Sequence, residues 1–91
     1  MKEYVIAICD DEAGSLELLQ YTLRRLLEKN CARAEIDTYR NGEMLIKSGK
    51  RYDLLVLDIE MPGMNGLQTA EQYRRLYEDC LLYTSDAADE A

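Results

Sequence analysis

The sequence predicts an α/β layer fold built on a parallel sheet, and three features carry that expectation. Two short apolar runs, Tyr4–Cys9 and Asp53–Leu57, are each halted by acidic residues. Segments with apolar residues at helical spacing lie between and after them. The connections are short, so strands must alternate with helices, the pattern of βα units wrapped around one buried sheet. At 91 residues the chain holds one small domain.

Tyr4-Val5-Ile6-Ala7-Ile8-Cys9 is rich in β-branched residues and too short for a typical helix, so it reads as a strand buried on both faces. Leu16, Leu19, Leu23, Leu26 and Leu27 then recur at helical spacing, with Glu17, Gln20, Arg24 and Glu28 opposite. This is an amphipathic helix that fades at Lys29-Asn30. Ala34–Tyr39 alternates and reads as a more exposed strand at a sheet edge. Asn41-Gly42 turns the chain into a short helix bearing Met44, Leu45 and Ile46, which Gly49 ends. Asp53-Leu54-Leu55-Val56-Leu57 is the second buried strand. The following loop, Glu60 to Gly66, is dense with turn formers, and Asn65 stands where a helix N-cap is needed. Leu67, Ala70, Tyr73, Leu76 and Tyr77 mark the apolar face of that helix.

Composition narrows the function. A formal charge of −7 repels phosphate backbones, which argues against nucleic-acid contact by this chain. No apolar run reaches the roughly 18 residues of a membrane span, and Met1-Lys2-Glu3 lacks the basic start of a signal peptide. Three cysteines in dissimilar settings make no disulfide framework, which suits a reducing cytoplasm. The chain contains no histidine, which excludes His-ligated zinc, a Ser-His-Asp triad and a phosphohistidine of its own. Cys9 reads as a small core residue, and Tyr39, Tyr52 and Tyr73 as half-buried rims.

Asp10 and Asp11 close the first strand and Asp58 closes the third. In an open parallel sheet, ligands bind at the carboxyl ends of the strands beside a topological switch point. Neighbouring strands would bring the three carboxylates together there. Charges ~4 Å apart repel by ~4 kcal/mol at an effective dielectric near 20, so such a cluster takes up protons or binds a cation. Oxygen ligands without imidazole or thiolate favour a hard ion, Mg2+ before calcium or zinc. The competing reading is that acids after strands cap the next helix, and Asp11 alone could be only that.

Ile8-Cys9-Asp10-Asp11-Glu12 together with Leu57-Asp58-Ile59-Glu60-Met61-Pro62-Gly63-Met64-Asn65-Gly66 resembles the receiver domain of two-component response regulators. Tyr39-Arg40-Asn41-Gly42-Glu43 resembles the LytTR-type members. The resemblance implies a flavodoxin-like receiver fold and a signalling role rather than an enzyme. It implies that Asp58 is the phosphoacceptor, taking a phosphoryl group from a sensor histidine kinase. It implies Mg2+ held by the side chains of Asp11 and Asp58, by the backbone carbonyl of Glu60, and by Asp10 through water. The output domain that the switch would control, of transcriptional type, is not in this chain.

The likeness covers residues 1–79 and departs from the family beyond them. Receivers place a Thr or Ser after a fourth strand and a Lys after a fifth. No lysine follows Lys50, while Thr84 and Ser85 stand near the first of these places. Cys80-Leu81-Leu82-Tyr83-Thr84-Ser85-Asp86-Ala87-Ala88-Asp89-Glu90 resembles the translation of a transposon-end adapter used in sequencing libraries. Residues 80–91 are therefore expected to be a non-native tail on a receiver cut after its third helix. Two further readings are an inactive fragment or unphosphorylated interaction module, and a haloacid dehalogenase-type phosphohydrolase. The latter needs a D-x-D-x-T pattern, whereas Asp58 is followed by Ile59-Glu60-Met61-Pro62.

Overall fold

A computed structural model describes residues 3–59, 61, 63–78 and 80–85, with residues 82–85 given by their backbone. The elements run β1 (Glu3–Cys9), α1 (Ala13–Lys29), β2 (Arg33–Tyr39), α2 (Gly42–Lys47), β3 (Leu54–Asp58), α3 (Gly66–Leu76) and β4 (Leu81–Ser85). All strand pairings are parallel and the order is β2-β1-β3-β4. The chain steps from β1 outward to β2, then returns past β1 to β3, so the direction of winding reverses between β1 and β3. That is the topological switch point. No described helix is long and apolar enough to cross a membrane.

Both faces of β1 and β3 are covered, which is why these strands are apolar without alternation. On one face Ala7, Cys9, Leu55 and Leu57 pack against Leu45 of α2 and Ala70 and Tyr73 of α3. On the other, Ile8 and Val56 pack against Leu16 of α1, with Leu19 and Leu23 beside them. The expected edge position of β2 is found, with its residues at most half-buried.

Three sequence expectations are corrected here. Tyr52 and Tyr73 are core residues, 2% and 1% exposed, rather than rims. Their hydroxyls have partners, which makes the burial tolerable. Leu26 falls outside the buried stripe of α1 and is 52% exposed, because α1 covers only part of its face. An open apolar groove of about 430 Å³ remains beside it, lined by Leu19, Leu23, Leu26, Leu54 and Val56. In α3 the buried residues are Gly66, Thr69, Ala70 and Tyr73, while Leu67 and Leu76 point outward. The rotation follows from the approach of α2, since a Cβ on Gly42 would lie 2.0 Å from the Thr69 hydroxyl oxygen.

Beyond α3 the described chain continues into the sheet. Leu81–Ser85 pairs with β3 in register Leu54↔Leu81 through Asp58↔Ser85. A sheet that ended at β3 would leave a buried strand with an open edge, and Tyr83 and Thr84 are good strand formers.

A polar network holds the loop between α2 and β3. The Tyr73 hydroxyl accepts the Tyr52 N–H at 2.8 Å and donates to the Lys50 carbonyl at 2.9 Å. The Tyr77 hydroxyl donates to the Gly49 carbonyl at 3.1 Å, where Gly49 adopts φ 64°. Lys50 donates to Glu35 and Asp37, at 2.9 and 2.8 Å. The Tyr52 hydroxyl donates to Asp37 at 2.7 Å, so the 2.5 Å contact between the two tyrosine hydroxyls has Tyr39 as its donor. Lys50 and Tyr52 together hold the Asp37 carboxyl below its ordinary range. Tyr73→Phe would strand the buried Tyr52 N–H and is expected to lower unfolding stability in urea by about 1–3 kcal/mol. Tyr77→Phe, at an exposed bond, is expected to cost less than about 1 kcal/mol.

Candidate functional site

The switch point fixes what lies at the carboxyl end of the sheet. Cys9 pairs with Leu57, so the residues that follow them, Asp10 and Asp58, leave the sheet side by side. The Asp10 N–H donates to the Tyr39 carbonyl at 3.1 Å, and its Oδ1 accepts the Glu12 N–H at 3.0 Å. These bonds hold the first acid inward, at 6% exposure, while Asp11 and Asp58 are half-buried. One carboxylate oxygen from each of Asp10, Asp11 and Asp58 lies within 4.8 Å of the other two. The capping alternative for Asp11 fails: the N-cap of α1 is Glu12, whose own side chain makes no capping bond.

Electrostatics follow from this crowding. At such separations each pair of ionised carboxylates repels by roughly 3–4 kcal/mol at an effective dielectric near 20. Burial raises the Asp10 pKa above the ordinary value, opposed by the Glu12 N–H, and the nearby Asp58 and Asp11 carboxyls raise it further. Cys9 lies directly beneath, fully buried, and its thiol is pushed up to about 12 by burial and then by the three aspartates. It therefore stays protonated and offers no thiolate ligand. The remaining donors are all hard oxygens, a set that fits Mg2+ or Ca2+ rather than a softer metal.

The loop after Asp58 approaches closely. A Cβ on Gly66 would sit 2.3 Å from the Asp58 carbonyl oxygen, so only glycine lets α3 start there. Asn65 caps α3, as the sequence predicts, and does so through a reciprocal pair with Gln68. Met61 is buried, its sulfur 3.7 Å from that of Cys9, which seats the loop on the core. Glu60 and Pro62 lie outside the described residues. Thr84 and Ser85 stand in β4 opposite Leu57 and Asp58. Sequence reasoning gave no role to Arg40, whose guanidinium donates to the Asp11 carbonyl through both Nε and an Nη, at 3.2 and 2.9 Å. Nothing in its local sequence marks this reach across two loops.

Comparison with known proteins gives the geometry its family. Residues 6–90 match the response regulator receiver domain. The chain belongs to that family. It is 34% identical over 91 residues to the transcriptional regulatory protein ResD of Bacillus subtilis, covering 98% of this chain and 35% of ResD. It is 35% identical over 79 residues to the sensory transduction protein LytT of Oceanobacillus iheyensis, covering 81% of this chain and 29% of LytT. It thus spans about a third of the length of these curated relatives. Among solved structures, the Thermotoga maritima response regulator TrrA in complex with Mg2+ and BeF is similar at a TM-score of 0.78 and 38% identity. That match covers 96% of this chain and 70% of TrrA. TrrA in complex with the histidine kinase ThkA matches at a TM-score of 0.67 and 34% identity, covering 92% of this chain and 67% of TrrA.

The raised pKa of Asp10 has a sign that can be tested. The folded chain retains a proton that the unfolded chain releases, so stability falls as pH rises from 3.8 through the higher folded-state value. Asp10→Asn removes that liability and keeps an oxygen for the Glu12 N–H. In a metal chelator, the variant is expected to melt above the parent chain near neutral pH, with the gain vanishing below pH 3.8. Thermal melts across that pH range check it.

Proposed function

We propose that the chain is the phosphoacceptor part of a response regulator, with Asp58 taking a phosphoryl group from a phosphohistidine on a sensor histidine kinase. The observation that carries this reading is the convergence of the Asp10, Asp11 and Asp58 carboxylates at the ends of β1 and β3. An Asp58 carboxylate oxygen forms the new O–P bond while the donor's N–P bond breaks, and that electron pair returns to the imidazole nitrogen. The 91 residues contain no histidine, so none of them is the phosphodonor. Asp11 and Asp58 would hold Mg2+ through their carboxylates, Glu60 through its backbone carbonyl, and Asp10 through a water. The ion supplies charge neutralisation on the transferring phosphoryl group. Asp10, whose carboxylate already accepts the Glu12 N–H, would orient that water from the other side of the cluster.

Within the family, Tyr39-Arg40-Asn41-Gly42-Glu43 and the similarity to LytT support a LytTR-type regulator. A transcriptional output domain outside this chain and a cytoplasmic location go with that reading. The chain itself is not read as touching nucleic acid or membrane, given its charge of −7.

Incubation with Mg2+ and acetyl phosphate is expected to add one phosphoryl group to the intact mass. Asp58→Asn is expected to abolish the adduct. An adduct that survives Asp58→Asn overturns the assignment, and steady release of phosphate from many substrates would favour a hydrolase.

We also propose that residues 80–91 derive from the adapter, which leaves residues 1–79 as the receiver-derived part. The unbroken eleven-residue likeness of Cys80–Glu90 supports this. Strand pairing does not bear on origin, because backbone hydrogen bonds are indifferent to it. Resequencing the source locus from the Tyr77 codon onward, with a library free of that adapter, is expected to give a different continuation. An unchanged reading through Ala91 overturns the proposal and makes Thr84 and Ser85 candidates for the Thr or Ser that receivers place after the fourth strand.

A further inference from the structure

The two acids after β1 are not equally secured. Asp10 is fastened twice, by its N–H to Tyr39 and by its carboxylate to the Glu12 N–H. Among the described residues, nothing donates to the Asp11 carboxylate, so of these it is the Asp11 peptide that sets its direction. That peptide is gripped from the neighbouring loop: Arg40 directs Nε and one Nη onto the single carbonyl oxygen, at 3.2 and 2.9 Å.

Arg40 is itself well founded. The residue before it, Tyr39, is paired with Cys9 at the end of β2 and receives the Asp10 N–H. The residue after it, Asn41, caps α2 by accepting the Met44 N–H at 2.8 Å. Arg40 therefore reaches from a fixed backbone to the loop before α1, whose N-cap side chain makes no capping bond.

We propose that Arg40 is a positioning residue of the acidic site, setting the Asp11 carboxylate for a cation by clamping the Asp11 carbonyl. The inference rests on reading Asp10, Asp11 and Asp58 as a Mg2+ site. A planar guanidinium can place two donors on one oxygen in fixed geometry, which an ammonium on a flexible stem does not reproduce. Partners that orient metal ligands typically change affinity by roughly 10–100-fold when removed.

The sign of the effect separates a clamp from a charge. As a mere cation beside three carboxylates, Arg40 would repel Mg2+, and removing it would tighten binding. As a clamp, its removal loosens the ligand and weakens binding. Isothermal titration of the full chain with MgCl2 is expected to show roughly tenfold weaker binding for Arg40→Ala, and weaker binding also for Arg40→Lys, which keeps the charge. Circular dichroism in chelator is expected to show the parent's secondary structure for both variants, since Arg40 is exposed and outside the apolar core. Binding as tight as the parent's or tighter in Arg40→Ala overturns the clamp, as does parent-like binding in Arg40→Lys. Failure of the parent chain to bind Mg2+ overturns the site reading itself, and the clamp with it.

Discussion

Three carboxylates held within 4.8 Å of one another are the constraint on which the rest of this structure depends. Left to solvent, such groups would drift apart, since each ionised pair repels by several kcal/mol in a partly buried setting. The parallel sheet does not allow it. β1 and β3 are hydrogen-bonded neighbours, and their register ends both strands at the same level. The repulsion is thus imposed by backbone pairing and by the apolar burial of Ile8, Cys9, Leu55 and Leu57, which the acids cannot undo locally. A fold that keeps like charges together at a rim is poised to bind a cation, because ligation removes a penalty already present in the folded chain.

Several features remote from the carboxylates make sense as supports for that arrangement. Gly66 admits α3 against the Asp58 peptide, and Gly42 admits α2 against Thr69, so both helices approach the rim without a Cβ between them. The Cys9–Met61 contact ties the loop after Asp58 to the strand that carries Asp10. At the other end of the sheet, Tyr73 fastens the α2–β3 loop, and the Tyr52, Asp37 and Tyr39 side chains extend that fastening to β2. Tyr39 then receives the Asp10 N–H through its carbonyl. Hydroxyl burial here is not idle, since each tyrosine oxygen closes a backbone or side-chain bond that would otherwise be unmet.

Much of this was legible in the residues. Buried strands announce themselves when apolar runs lack alternation, so β1 and β3 and their terminal acids are readable from the residues alone. Asn41 and Asn65 signalled helix starts because capping is a local chemical preference. What stayed hidden depends on tertiary approach. The rotation of α3 is set by Gly42 meeting Thr69, so Leu67 and Leu76 point outward although their spacing fits a buried face. The burial of Tyr52 and Tyr73 depends on partners 21 and 23 residues away in sequence, which no periodicity encodes. Arg40 reaches a carbonyl 29 residues distant, and its neighbours in sequence give no hint of it.

The fourth strand shows the difference between satisfying a backbone and completing a core. Its peptide groups meet those of β3 through five parallel pairs, which any segment of strand-forming composition can do. Side-chain packing is a stricter test, and the strand's first residue falls short of it: Leu81 is 69% exposed, whereas its partner across the ladder, Leu54, is half-buried. The apolar groove beside Leu23, Leu26, Leu54 and Val56 lies on this same flank, where α1 stops short. Covering on the opposite face is complete over β1 and β3, because α2 and α3 both pack there. The acidic site sits at the ends of β1 and β3, the two strands buried on both faces. The groove is lined from α1, β1 and β3 on the other face, and at its Leu54 end runs toward Leu81 of β4. Asp10 and Asp11 are therefore held by pairings that precede residue 80, whereas Asp58 is also held by β4, whose Ser85 pairs with it while the strand closes the open edge of β3.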